Sequence, residues 1–171
     1  NGSIADSSFV SMSLSTIDIS GTLNGATIKG LVGRGTVALG GKTLTVSDAS
    51  PTEFSGVING TGGLTVSGGT LWLTGENTYT GLTTIDTGAV LRVGNGSSPY
   101  GSSGSIVSDV MDNGLLTFDR DADITYADTI SGTGSVTQVG TGTLTLTGTN
   151  AYTGETTINS GSVLALTGTG S

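Results

Sequence analysis

The sequence contains neither cysteine nor histidine, and it has few charged residues. Without cysteine the chain forms no disulfide and no thiolate metal site, and without histidine it builds no Ser-His-Asp triad. It has 13 acidic and 5 basic residues, a net charge of −8, and the basic residues are scattered along the chain. Because phosphate binding requires clustered Lys and Arg, nucleic acid is excluded as a partner.

Long apolar runs and helical patterns are also missing. No apolar run approaches the roughly 18 residues that a membrane-spanning helix needs, so we expect no membrane insertion by this segment. No window carries apolar residues at helical spacing, and we therefore expect essentially no helix. The 31 glycines follow no triplet period, which excludes collagen. No signal peptide opens the sequence, and we interpret it as a fragment of a longer chain.

The dominant feature of the sequence is a long internal repeat. Residues 67–93 read SGGTLWLTGENTYTGLTTIDTGAVLRV, and residues 140–166 read GTGTLTLTGTNAYTGETTINSGSVLAL. The second stretch repeats the first almost position by position, at one constant offset. With their weaker flanks, the copies cover about residues 54–94 and 126–167 of a single domain that spans 1–171. A repeat of this length indicates an architecture of stacked units.

Short strands recur inside each copy at a constant step of about 20 residues, which lies within the range of one solenoid repeat. The runs alternate apolar and polar residues, which is typical of β-strands. The step aligns three pairs of leucines: Leu44 with Leu64, Leu71 with Leu91, and Leu144 with Leu164. A constant step of this size predicts one coil of a β-solenoid, with equivalent residues stacked about 4.8 Å apart. The length of the chain then predicts about seven to eight coils.

The alternation also predicts which side chains face the core. We expect an inward set of Leu71, Leu73, Ile85, Leu91, Val93, Leu144, Leu146, Ile158, Leu164 and Leu166. We expect one outward row of Trp72, Arg92, Thr145 and Ala165, because an unpaired arginine is not buried. The repeated corner residues should have structural roles, with the asparagines capping backbone groups: Asn77, Tyr79, Gly81, Asn150, Tyr152 and Gly154. Four glycines should provide positive φ at corners: Gly81, Gly88, Gly154 and Gly161.

The stretch between the two copies breaks this pattern. It is rich in glycine and serine and contains Pro99. The strand pattern resumes soon afterwards with VMDNGLLTF. We therefore predict a loop that protrudes from the solenoid over residues 94–105, within one continuous domain.

Both copies resemble the passenger-associated repeat of bacterial autotransporters. The resemblance rests on INGTGGLTVSGGTLWLTGENTYTGLTTIDTGAVLRV and ISGTGSVTQVGTGTLTLTGTNAYTGETTINSGSVLAL, and on the connecting VMDNGLLTFDRDADITYADTISG. It implies a right-handed parallel β-helix in a passenger that is displayed on the bacterial cell surface or secreted, after export through the periplasm and outer membrane. It further implies an outer-membrane β-barrel in the same full-length chain as a partner.

One acidic turn is a candidate metal site. Asp119, Asp121 and Asp123 alternate as in the start of a calcium loop. The loop lacks the glycine and the final glutamate of an EF-hand, since Ile124 and Ile130 occupy those positions. We therefore expect a solvated acidic turn beside Arg120 and no metal site, with calcium binding as the alternative. We expect no bound cofactor.

Outward aromatic and basic residues are candidates for partner contact. Trp72, Arg92 and Tyr100 could contact a host glycan, a host protein or a second copy of the chain. The main functional expectation is a structural stalk that spaces or displays other domains, and the alternative is an adhesin module acting through an outer face. We do not expect an enzyme, because the scattered basic residues and undirected carboxylates match neither a lyase nor a glycosidase.

Overall fold

The computed structural model describes residues 4, 7, 9–47, 50–96 and 103–167. Over these residues the protein is a parallel β-solenoid of short strands without any helix. Every strand pairing among them is parallel. Accordingly, the described residues include no helix long and apolar enough to cross a membrane. The predicted fold class is confirmed.

Three sheets run along the solenoid. The first sheet follows the order β1 (Val10–Asp18), β3 (Leu31–Ala38), β5 (Thr52–Phe54), β8 (Thr70–Leu73), β10 (Val90–Val93), β12 (Leu115–Phe118), β15 (Ser135–Gln138) and β18 (Thr156–Ile158), with β6 (Val57–Asn59) also paired to β3. The second sheet follows β2 (Ala26–Ile28), β4 (Leu44–Val46), β7 (Leu64–Val66), β9 (Thr83–Ile85), β11 (Val110–Asp112), β14 (Ile130–Gly132) and β17 (Ala151–Tyr152). The third sheet contains β13 (Ile124–Tyr126), β16 (Thr143–Leu146) and β19 (Val163–Leu166).

The number of coils agrees with the sequence expectation. The second sheet contributes one strand to each coil and has seven strands among the described residues, which gives about seven coils. Right-handed winding, which the resemblance implies, stays a prediction in line with the strong right-handed preference of parallel crossover connections.

The strand register confirms the constant step between coils. Leu44 pairs with Leu64, Leu71 with Leu91, and Leu144 with Leu164. One coil is longer, because the register partner of Leu91 in the next coil is Leu116, and that of Thr83 is Val110. The extra residues fall where the protruding loop is predicted, so the insertion lengthens one coil while the sheets continue on both sides of it.

Aliphatic side chains fill the interior in rows along the solenoid. One row of the first sheet places Leu71, Leu91, Leu116 and Val136 above one another, and all four are buried. Each fully buried side chain of this size stabilises the fold by about 1.5–3 kcal/mol. The row explains why the period-two pattern folds into stacked coils: each inward residue is covered by its equivalents one coil before and one coil after.

The residues predicted to face inward in the last described coil keep the inward register, but they are only partly covered. Ile158 and Leu166 are 50% and 68% exposed, and Leu164 is only partly buried. These residues belong to β18 and β19, which end the first and third sheets. No further coil among the described residues covers them, so the alternation that buries Leu71 leaves them at an open edge.

The predicted single outward row is also wrong. Trp72 and Arg92 are neighbours in the first sheet, whereas Thr145 and Ala165 are neighbours in the third sheet. From β8 in the first copy to its counterpart β16 in the second, the chain passes through three more strands of the first sheet, β10, β12 and β15, and then enters the third sheet. The offset between the copies therefore equals three full coils plus the step from one sheet to the next. Equivalent residues of the two copies thus lie on different sheets of the solenoid.

Repeated asparagines and tyrosines make local contacts at equivalent positions of the two copies. Asn77 Oδ1 accepts a hydrogen bond from the N–H of Ile58 at 2.9 Å, and its amide donates to Gly75 O at 2.9 Å. Asn150 Oδ1 accepts from the N–H of Ile130 at 2.9 Å, and its amide donates to Gly148 O at 3.1 Å. Each asparagine thus joins its own turn to the preceding coil. The two tyrosine hydroxyls each lie 2.7 Å from a threonine four residues on, in the pairs Tyr79–Thr83 and Tyr152–Thr156.

The four corner glycines serve two different purposes. Gly88 and Gly161 adopt positive φ of 82° and 85°, as expected. Gly81 and Gly154 do not, so that part of the prediction is wrong. A Cβ at Gly81 would lie 2.5 Å from the carbonyl oxygen of Gly62, and one at Gly154 would lie 2.2 Å from that of Gly134. Glycine is required at these two positions because the backbones of successive coils approach too closely for any side chain.

Replacing Gly81 by alanine tests this close approach. We expect Gly81→Ala to lower the free energy of unfolding by about 1–3 kcal/mol, because the new methyl group overlaps backbone that cannot move aside. Gly21→Ala is the matched control, since a Cβ at Gly21 meets nothing within 4 Å, and we expect it to change stability by less than about 0.5 kcal/mol. Urea unfolding measures both variants, and equal effects of the two would contradict the packing explanation.

Candidate functional site

Three residues, two of them predicted contact residues, meet on the outer surface of the first sheet. Strands β5, β8 and β10 place Glu53, Trp72 and Arg92 in neighbouring register positions, and we call these three residues the outer row. The guanidinium carbon of Arg92 lies 4.6 Å from the centroid of the Trp72 ring. This is a cation–π contact, which contributes about 0.5–1 kcal/mol at exposed sites. Trp72 points outward as predicted, but it is only partly exposed because Arg92 covers it.

Arg92 also forms an ion pair with Asp119. The guanidinium Nη2 donates to Asp119 Oδ2, and the Asp119 side chain is almost fully buried. The N–H of Asp119 donates to Val93 O at 2.9 Å, which holds the residue directly after β12 against the end of β10. The expectation of a solvated turn beside Arg120 is therefore wrong for Asp119. Asp119 directly follows the last residue of β12, and its carboxylate lies over the first sheet against the Arg92 guanidinium.

The other two carboxylates of the acidic turn contact the following coil. Asp121 Oδ1 accepts from Thr141 Oγ1 at 3.2 Å, and Asp123 Oδ1 accepts from the N–H of Thr143 at 2.7 Å. Both aspartates are exposed. Within the described ranges, no group of three or more His, Cys, Asp or Glu side chains is arranged to hold a metal ion. The alternating aspartates thus connect one coil to the next.

The C-terminal end of the predicted loop is held by a second set of polar contacts. Ser105 Oγ donates to Glu76 Oε2 at 2.6 Å, and Ser103 Oγ donates to Thr74 O at 2.8 Å. The Arg120 guanidinium donates to Gly104 O and lies 3.7 Å from Glu76 Oε1. Tyr100, the third predicted contact residue, lies outside the described residues.

Sequence reasoning missed Glu76 and the role of Arg120. A signal was present, because Glu76 replaces Thr149 of the other copy within an otherwise closely matched stretch. Glu76 differs from its counterpart because only the first copy is followed by the longer coil, whose returning strand it contacts. Arg120 offered no comparable signal, since it belongs to neither aligned block.

Asp112 is a buried carboxylate that the sequence analysis did not identify. It is fully buried at the end of β11, where its Oδ1 accepts from the N–H of Gly114 at 2.9 Å. Its Oδ2 has no hydrogen-bond partner, and Gly134 of the next coil packs against the carboxylate. Burial raises the pKa of Asp112, and the N–H groups of Gly114 and Leu116 offset this only in part. The ionised form is thus disfavoured in the folded chain.

The raised pKa of Asp112 predicts a pH-dependent stability. A carboxyl group whose pKa is raised by folding stabilises the fold below its unfolded value, 3.8, and this contribution is lost as pH rises through the folded value. Wild type should therefore lose stability relative to Asp112→Asn as pH increases from about 4 to 7. Urea unfolding of both proteins across this range measures the difference.

Asp18 is the matched control for this experiment. Hydrogen bonds from the Ser20 hydroxyl and N–H lower the pKa of Asp18. Its contribution is therefore present above 3.8 and lost as pH falls through the folded value. Wild type should gain stability relative to Asp18→Asn as pH rises. If the stability difference from wild type changed in the same direction with pH for Asp112→Asn and Asp18→Asn, the raised pKa of Asp112 would be contradicted.

Comparisons with known proteins agree with the repeat architecture. The family model described as passenger-associated-transport-repeat matches residues 69–93 and 136–166. Among curated proteins, the chain is similar to the adhesin BmaC autotransporter of Brucella suis biovar 1 (strain 1330), with 42% identity over 170 residues. The alignment covers 81% of this chain and 5% of that relative, so the chain spans about one twentieth of its length. The comparison with solved structures finds no match.

Proposed function

Since the chain is an autotransporter passenger segment with passenger-associated transport repeats, we propose that it acts as a rigid stalk within the passenger. As a segment of such a passenger it is a cell-surface or secreted protein. In this proposal the solenoid spaces or displays other parts of the same polypeptide. Its rigidity derives from backbone pairing along the axis and from the aliphatic rows inside.

The observation that carries this proposal is the continuity of the second sheet. Its strands stack without interruption from β2 to β17, including across the longer coil. The outward positions at the centres of these strands form one row: Thr27, Thr45, Thr65, Thr84, Met111, Ser131 and Ala151. A row that continues past an insertion keeps the two ends of the solenoid in a fixed relation, which is the property that a spacer needs.

The contacts that the candidate site residues make within the chain also support the stalk. Arg92 contacts both Trp72 and Asp119, and Glu76 binds Gly104 and Ser105 at the C-terminal end of the loop. These polar groups make contacts between coils of the same chain, as a structural role requires. We further propose that the segment has no catalytic activity, because it lacks the histidine and cysteine on which many nucleophilic mechanisms depend.

The full-length partner and the export route form part of the same proposal. We propose that the passenger is linked to an outer-membrane β-barrel in the same full-length chain and reaches the surface through the periplasm and outer membrane. The absence of cysteine suits this route, because no disulfide can form before the chain crosses the outer membrane.

Removing one whole coil tests the stalk. Deleting residues 131–150 joins Ile130 to Ala151, the register partner of Ser131. Spin labels on Thr27→Cys and Ala151→Cys should give a backbone separation that falls from about 29 Å to about 24 Å, one strand spacing. Because the natural sequence has no cysteine, the two labels are unambiguous. Electron–electron resonance measures the distance.

A half-coil deletion is the control. Deleting residues 131–140 brings strands of different sheets into the same position, and we expect loss of the cooperative unfolding transition. A spacer made of equivalent coils predicts that the longer deletion is tolerated and the shorter one is not. If removal of the whole coil also abolished folding, the proposal of a stalk built from equivalent coils would be contradicted.

An adhesin module is the second candidate function. The related Brucella protein is named an adhesin. In addition, an open groove of about 320 Å³ lies over the first coils, lined by residues that include Leu14, Arg34, Gly35 and Gly56. Leu14 is 87% exposed beside it. An exposed apolar side chain next to a cationic one could contact a host glycan or protein, or a second copy of the chain.

Glycan binding separates the two candidates. The stalk predicts that the purified segment gives no signal on a glycan array. An adhesin acting through the outer row predicts a signal that falls at least about tenfold in Trp72→Ala, the effect of losing a contact worth about 1.4 kcal/mol. Trp72→Phe, which keeps an aromatic ring, is the matched control. Any saturable binding would contradict the stalk proposal and favour the adhesin; loss of binding in Trp72→Ala would assign it to the outer row, and binding that persists in this variant would assign it to another surface such as the groove at Leu14.

A further inference from the structure

The turn between β11 and β12 holds four residues in polar contact. Asn113 and Gly114 form the turn, and Asp112 is the last residue of β11 before it. The Gly114 N–H donates to Asp112 Oδ1 at 2.9 Å. Asn113 Oδ1 accepts from the N–H of Thr133 at 3.3 Å and from its hydroxyl at 3.2 Å. The turn therefore combines a backbone nitrogen, a carboxylate and an amide carbonyl that is already hydrogen-bonded.

The Gly114 nitrogen is suited to attack the side chain of Asn113. When a backbone nitrogen attacks the amide carbon of the preceding asparagine, a five-membered imide ring closes, and glycine places no side chain in the way. Packing requires glycine here, because a Cβ at Gly114 would overlap the carbonyl oxygen of Ala89. Among the described residues, the Gly114 N–H donates to no backbone carbonyl. Loss of its proton thus breaks no pairing between coils.

Asp112 is positioned to take the proton from this nitrogen. A general base must lie within hydrogen-bond reach of the proton that it accepts, and the contact at 2.9 Å meets this requirement. The Asp112 side chain is fully buried, and its Oδ2 has no hydrogen-bond partner. Burial raises the pKa of Asp112, because the charged form is poorly solvated. Accepting a proton therefore relieves an unfavourable charge, and the buried carboxylate is a stronger base than an exposed one.

Thr133 is positioned to stabilise the charge that develops on the Asn113 side chain. During the attack the amide oxygen becomes an oxyanion, and the N–H and hydroxyl of Thr133 already donate to this oxygen. Such contacts are often long in the resting state and tighten as the charge develops. Asn113 itself is only partly buried, so ammonia can leave the site and water can enter it.

We propose that Asn113 and Gly114 form a self-modifying site, with Asp112 as the general base and Thr133 as the oxyanion donor. The Gly114 nitrogen forms a bond to Asn113 Cγ, and the bond between Cγ and Nδ2 breaks. The Gly114 proton passes to Asp112 and then to the departing amide, which leaves as ammonia. Solvent water opens the imide at either carbonyl and gives aspartate or isoaspartate. Each chain reacts once, so the modification agrees with the proposed lack of enzymatic activity.

A second asparagine–glycine pair provides an internal standard for the reaction. Asn24 and Gly25 form the same dipeptide, and Asn24 is exposed. No carboxylate among the described residues accepts from the Gly25 N–H. In the folded protein at neutral pH, we expect Asn113 to convert at least about tenfold faster than Asn24, since a general base typically contributes about 10²–10⁴-fold. Peptide mapping by mass spectrometry quantifies the imide, aspartate and isoaspartate at both positions.

Unfolding the protein distinguishes catalysis by the fold from ordinary reactivity. In concentrated urea the contacts of Asp112 and Thr133 are lost, and Asn113 and Asn24 should convert at similar rates. The ratio of the two rates therefore falls to about one on unfolding if the folded turn catalyses the reaction. An asparagine that the fold merely protects behaves in the opposite way. If the ratio rises in urea, the proposal is overturned.

Substitutions assign the roles of the two partners. Asp112→Asn removes the base while keeping the shape of the side chain, and we expect conversion of Asn113 to slow at least about tenfold. Thr133→Val removes one oxyanion donor and should slow conversion about tenfold, whereas Thr133→Ser keeps the hydroxyl and should react like wild type. A cooperative urea transition and an unchanged Asn24 rate show that each variant is folded. If folded Asp112→Asn converts as fast as wild type, or if Asn113 of the folded wild type reacts no faster than Asn24, the proposal is overturned.

Discussion

Backbone pairing between successive coils is the interaction on which the rest of the structure depends. Parallel strands stack about 4.8 Å apart, and every side chain and corner must be compatible with that spacing. This constraint excludes side chains at Gly81 and Gly154, where the coils nearly touch. It also explains the asparagines, whose amides reach from one turn to the backbone of the coil before. The aliphatic rows are the interior consequence of the same stacking.

The departures from regular stacking concentrate around one coil. The longer coil is bordered by Glu76 and Arg120 on its surface, and its core contains the hydrogen-bonded hydroxyl of Ser108 and the buried carboxylate of Asp112. A solenoid of identical coils requires none of these groups. Insertion of a loop into such a repeat thus requires specific polar contacts on both sides of it, and in this passenger segment they connect parts of the same chain.

The sequence predicted the fold because its signals were local and repeated. Leu71, Leu91 and their equivalents recur at a fixed step, and that step alone determines which strands stack. It did not give the degree of burial, which depends on the neighbouring coil: Leu166 stacks on buried Leu146 as the pattern predicts, yet it is 68% exposed because no described coil lies beyond it. It also failed for the outward row, because the offset between the two copies is not a whole number of coils. The pairing of Arg92 with Asp119 joins residues from different coils across the insertion, and no periodicity could reveal it.

Cross-strand nuclear Overhauser effects provide the most direct test of the stacked-coil account. In uniformly labelled protein, we predict contacts between backbone protons of Leu71 and Leu91, of Leu91 and Leu116, and of Leu116 and Val136, in the pattern of parallel strands. The middle pair spans the insertion, and this makes the prediction specific to this arrangement. Contacts typical of antiparallel hairpins between strands adjacent in sequence would contradict it.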